Sequence, residues 1–202
     1  MVKYKRWSRD SIINKKDNSI GGDGEECFEG CGPWSATQDY KRWKSNIKNV
    51  FEKIYIKSNR AEYRDFVLGL CVHCLTDYWN DIKIWKRLQG EYIPSMEFEA
   101  FRNAYYPEVQ GIDQWLYQNS KNTKTIREML MKAKAFDVEE LVAKDNIEKQ
   151  RNHLLNVQYE VETIDISNYQ FLSERNILEF INFVVDDIAK TIKSWYMTLE
   201  DT

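Results

Sequence analysis

Apolar and polar positions alternate along most of this chain with the period of an α-helix. Trp43, Ile47, Val50, Phe51 and Ile54 recur at the spacing that keeps side chains on one helical face. They predict a first helix that begins near Ser35 or Thr37, either of which can cap free amide groups, and that breaks at Asn59 and Arg60. A second helix is expected over 61–88, with its polar and apolar faces less separated, as in a central helix. Gly90 to Ser95 reads as a turn supported by Pro94. A short helix at 96–105 should end before Pro107, because a proline disfavours helix in the residue before it. Further helices are expected at 109–119 and 123–135. Asp137 and Glu140 resemble a capping box that opens a long charged helix over 138–161. Residues 162–171 read as a loop or one extended stretch. Ser173 then caps the last helix, with Leu172 and Ile177 placed as a hydrophobic staple. That helix carries Ile177, Ile181, Val184, Ile188 and Trp195, the best amphipathic signal in the chain. Asp186 and Asp187 interrupt its apolar run, but both can point to solvent.

Residues 1–33 show no sustained periodicity and carry Gly21-Gly22-Asp23-Gly24. The expected architecture is all-α: an irregular N-terminal arm, residues 1–34, packed on a single helical domain, residues 35–202, of about six to seven helices. Composition supports this. Only eight Gly and three Pro among 202 residues disfavour a strand-and-turn sandwich. An apolar fraction of 43 % with 14 % aromatics excludes disorder despite 30 % charged residues.

Charge and hydropathy exclude other classes. The net charge is −3 and the basic residues are dispersed, so no nucleic-acid footprint stands out. No stretch approaches the roughly 20 apolar residues that span a bilayer. The basic segment Met1 to Lys16 lacks the apolar core of a secretory signal, and a cytoplasmic location is expected. In a reducing compartment Cys27, Cys31, Cys71 and Cys74 are free thiols or ligands rather than disulfides.

Candidate chemistry centres on the segment Phe66 to Asp81, an apolar run that carries a histidine and two acids. On a helix His73, Asp77 and Asp81 share one side. Burying an acid costs several kcal/mol unless it is paired, protonated or metal-bound. Imidazole and carboxylate suit zinc or another divalent ion, which makes bound water a nucleophile near neutral pH. The plainer alternative is a core hydrogen-bonded pair. His153, with Glu160 seven residues on, offers further ligands, as does Asp23 in the acidic arm with Glu25 and Glu26. Cys27, Cys31, Cys71 and Cys74 have the count of a Cys₄ zinc site or a redox pair, but Cys71 and Cys74 lie in an apolar helix where a thiol behaves as a small hydrophobe. No nucleophilic triad, phosphate loop or dinucleotide fingerprint is readable.

The stretch Asp65-Phe66-Val67-Leu68-Gly69-Leu70-Cys71-Val72-His73-Cys74-Leu75-Thr76-Asp77-Tyr78 resembles the central motif of the zinc-dependent phospholipase C family, above all its small bacterial hydrolase-like members. Tyr78-Trp79 match the aromatic pair that follows the motif there. The resemblance implies a phospholipase C/P1 nuclease-like helical fold, His73 and Asp77 as metal ligands, and phosphoester hydrolysis by metal-bound water. It also implies an Asp near a glycine-rich turn, which Asp23 fills, and a histidine near Lys44-Ser45-Asn46, where none stands. The expectations are therefore a metal-dependent hydrolase-like protein acting on a phosphoester substrate, a non-catalytic helical binding protein with an eroded metal site, or a cysteine-based zinc or redox site.

Overall fold

Most of the helices form where the periodicity places them, while caps and packing decide where they stop. The structure, a computed structural model, describes residues 25–33, 36–55, 60–138, 142–159 and 162–200. Among these the chain is mostly helical and has no strand; Val138 and Val142 form an isolated bridge. The helices are α1 (Glu25–Phe28), α2 (Tyr40–Val50), α3 (Ala61–Asn80), α4 (Lys86–Tyr92), α5 (Phe98–Asn119), α6 (Thr123–Lys132), α7 (Lys144–His153) and α8 (Glu174–Glu200). Wider π turns extend α2 over Phe51–Tyr55, join α3 to α4 over Asp81–Trp85, and extend α7 over Leu154–Gln158. The all-α expectation holds. No helix among the described residues is long and apolar enough to cross a membrane.

Several boundaries differ from those expected, each for a local reason. Asp39, not Ser35 or Thr37, caps α2: its carboxylate accepts from the Arg42 amide at 2.8 Å. Ser35 lies outside the described residues. The helix expected to end at 88 continues past Gly90 to Tyr92. Gly90 is exposed, and an exposed helical glycine costs only about 1 kcal/mol. Pro107 does not divide two helices but sits inside α5. Pro107 and Asn103, whose carbonyl loses a helical donor, are both exposed to water. Phe101 and Tyr105 before the proline and Ile112 after it are buried in one core. Their burial outweighs a cost of about 3 kcal/mol. Asp137 caps a helix, but one that starts six residues later than expected: it accepts from the Lys144 amide at 2.8 Å, and α7 starts there. Glu140 lies outside the described residues. At α8 the expectation holds: Ser173 Oγ accepts from the Asn176 amide, and Leu172 and Ile177 are both buried.

The chain divides into two compact units, one of residues up to Cys74 with Lys134–Lys149, the other of Leu75–Ala133 with Gln150 onward. The interior of the first unit holds Trp43, Ile47, Val50, Phe51, Val67, Val138 and all four cysteines. Phe28 meets Trp43 edge-on at 4.7 Å, so α1 packs on α2. The turn between them needs Gly30, which has φ of +71° and lies against the Arg42 guanidinium.

The second unit is built around rings. Trp85, Phe101, Tyr105 and Phe171 lie within one cluster with Ile84, Leu88, Ile112, Ile166, Leu172 and Ile177. Trp85 stands 5.4 Å from Phe101 and 5.2 Å from Tyr105. Phe101 meets Phe171 edge-on at 5.3 Å. The segment before α8 is tied to α5 by side chains. Glu108 accepts from the amides of Gln170, Phe171 and Leu172 at 2.6, 2.8 and 3.0 Å. Gln118 donates to the Glu162 carbonyl and accepts from the Ile164 amide, both at 3.0 Å. Gly111 gives room for the Tyr169 hydroxyl, which occupies the place a Cβ would take.

Candidate functional site

The helix with the histidine does not bury it. On α3 the inward residues are Val67, Cys71, Cys74 and Leu75, all under 5 % exposed. His73 lies off that face and is exposed. Asp77, one turn on, is half-buried, and Asp81, which opens the π turn, is buried. The shared side expected of the three thus runs from solvent at His73 to interior at Asp81. The expectation of a buried imidazole is corrected, because the apolar stripe turns Cys71 and Cys74 inward in its place.

The remaining metal candidates are scattered in the sequence and in their surroundings. His153 is half-buried at the end of α7 and belongs to the second unit, whereas His73 belongs to the first. Asp23 and Glu160 lie outside the described residues. Among the described residues no three His, Cys, Asp or Glu side chains come together in a group able to hold a metal ion.

All four cysteines are buried in the interior of the first unit, and none is in a disulfide. Burial pushes the Cys71 thiol up to about 12, and Cys74 beside it adds to the rise. Burial also raises Cys31, helped by the Asp39 carboxylate and opposed by Arg42. Thiolate is the ligand and the nucleophile, and the surroundings of Cys31 and Cys71 suppress it there. Cys71 behaves as a core residue, its sulfur 4.0 Å from the Ile47 carbonyl.

Other groups with unusual environments went unnoticed in the pattern of the sequence. Asp187 is half-buried and held inside the fold: Trp79 Nε1 donates to it at 2.8 Å and the Thr191 hydroxyl at 3.4 Å. Asp186 is exposed. Asp113, on α5, has its carboxyl lifted to about 6 by desolvation. The residue keeps one side open to water, which limits that penalty. Its carboxylate in turn helps raise Tyr159, after burial, and Tyr159 stacks on Tyr117 at 4.1 Å. Arg102, Tyr106, Asp113 and Tyr117 recur at intervals of four, seven and four along α5, so they share one stripe. Tyr106 is 39 % exposed, and the Arg102 guanidinium lies 5.6 Å over its ring. The spacing was visible in the sequence, but the expected break at Pro107 divides it.

Comparison of the chain with known protein families, with curated proteins and with solved structures gives no match.

Proposed function

We propose that this chain is a non-catalytic helical binding protein that uses the α5 stripe of Arg102, Tyr106, Asp113 and Tyr117 as its contact surface. The observation that carries this is the make-up of the stripe. Tyrosine and arginine dominate the energetics of protein contacts, since they present large amphipathic area and lose little freedom when already held. Here Arg102 is laid over both Tyr106 and Phe98, and Tyr117 is stacked on Tyr159, so the surface is ordered before any ligand arrives. Asp113 adds one carboxyl whose charge a cationic or hydrogen-bonding partner would favour.

His73 and Asp77 suit an eroded metal station better than a hydrolytic one. A catalytic zinc takes three protein ligands and keeps a water, and this helix supplies two donors one turn apart. The test is metal content and hydrolysis of bis(p-nitrophenyl) phosphate by untagged protein in added zinc or manganese. The expected result is hydrolysis no faster than that of His73→Ala. Near-stoichiometric zinc and phosphodiesterase activity that both vanish in His73→Ala and Asp77→Ala would overturn the proposal in favour of a phospholipase C-like hydrolase.

A further inference from the structure

The 27-residue helix α8 buries one stripe and leaves a second apolar seam on its outer side. Ile177, Val184, Ile188 and Trp195 face inward. Leu178, Asn182, Val185, Ala189 and Ile192 form the other seam, alternating steps of four and three residues. Leu178 is 42 % and Val185 58 % exposed; Asn182 and Ala189 are exposed, and Ile192 is half-buried. That is the period of a coiled-coil interface rather than of a solvated face. The small residues Asn182 and Ala189 let a second helix approach closely.

The charges beside the seam say which helix fits. Glu179, Asp186 and Lys193 follow it at seven-residue intervals on its exposed edge. A second copy of α8 laid antiparallel, with the two-fold axis beside Asp186, brings Glu179 to the partner subunit's Lys193 and Lys193 to the partner subunit's Glu179. The same register sets Val185 between the partner subunit's Val185 and the partner subunit's Ala189. A parallel pair would instead set Glu179 and Lys193 on the opposite edge of the seam from their own copies, so these two charges would not meet. Asp186 meets its own copy near the axis, the one repulsive contact of the arrangement.

We infer that the outer seam of α8 is an isologous interface through which two copies of this chain pair antiparallel. The contact is self-complementary, as a two-fold dimer requires. It does not depend on the binding role of α5.

Sedimentation equilibrium of the full chain over a range reaching about 100 µM tests it, since micromolar pairing is fully populated there. The wild type should sediment as a dimer, and Val185→Glu as a monomer with unchanged helical circular dichroism. Glu179→Lys and Lys193→Glu should each weaken pairing about tenfold, because each makes both symmetry-related charge pairs repulsive. The double variant Glu179→Lys with Lys193→Glu should restore the wild-type dissociation constant. A wild type that stays monomeric overturns the proposal, as does a Val185→Glu dimer. A double variant weaker than either single one overturns the antiparallel arrangement.

Discussion

The two units of this chain fill their interiors with different materials. The first uses aliphatic residues, the rings of Trp43 and Phe51, and four thiols, with α2 and α3 contributing at helical spacing. The second uses rings, and it holds the segments around them with carboxylates and amides: Glu108 on the backbone before α8, Gln118 on the same segment, Asp187 on Trp79. Thiols and aliphatic groups need no partners, so an interior of that kind tolerates substitution by groups of similar size. Polar anchors are less forgiving, since losing one partner strands the other. The difference teaches that fragility in this molecule should concentrate at a few polar side chains of the second unit.

Five measurements can break that contrast. The largest effect is expected at Glu108→Ala, which strands the amides of Gln170, Phe171 and Leu172. Urea denaturation should show a loss of about 3 kcal/mol; a loss below that of an ordinary surface substitution would mean the segment before α8 does not need its anchor. Gly111→Ala comes next. The added methyl meets the Tyr169 hydroxyl, and the expected destabilisation is about 2 kcal/mol, read as a lower melting temperature.

In the first unit, Cys71→Ser should cost about 1 kcal/mol, since a hydroxyl is dearer to bury than a thiol. The native Cys71 should also resist iodoacetamide at pH 8, where a thiol with pKa of about 12 is almost wholly protonated. Rapid labelling of Cys71 in the folded protein would show that its thiolate forms readily.

The smallest effect belongs to Asp113. Its folded pKa, about 6, lies above the value of about 4 for an unfolded aspartate. Between those values the folded state binds more protons. The contribution of Asp113 to stability is therefore complete below pH 4 and is lost as pH rises through 6. Asp113→Asn should remove this dependence and raise stability at pH 7 by less than about 1 kcal/mol, the open side of the residue being screened by water. A variant with an unchanged pH profile would show that the carboxyl is fully hydrated.

Much of the fold was legible before any coordinates. The Ser173 cap, the Leu172/Ile177 staple, the start of α6 and the stripe of α2 lie where the spacing puts them. The candidate chemistry was less legible. His73 and Asp77 share a helix as expected, but whether His73 looks inward depends on which stripe of α3 is the more apolar, and Cys71 and Cys74 decide that. Asp137 was recognisable as a cap, and its helix was misplaced because Val138 and Val142 pair with each other first.

What the sequence determined by itself is what residues within about four positions decide among themselves: helix period, caps and the staple. Tertiary structure alone decided that α5 runs through Pro107, that Glu108 holds a segment 62 to 64 residues away, and that Asp187 accepts from Trp79 across 108. The reason is physical. A proline's cost or a carboxylate's burial is settled by the partners that the folded chain brings to it, and those partners leave no mark on the neighbouring sequence.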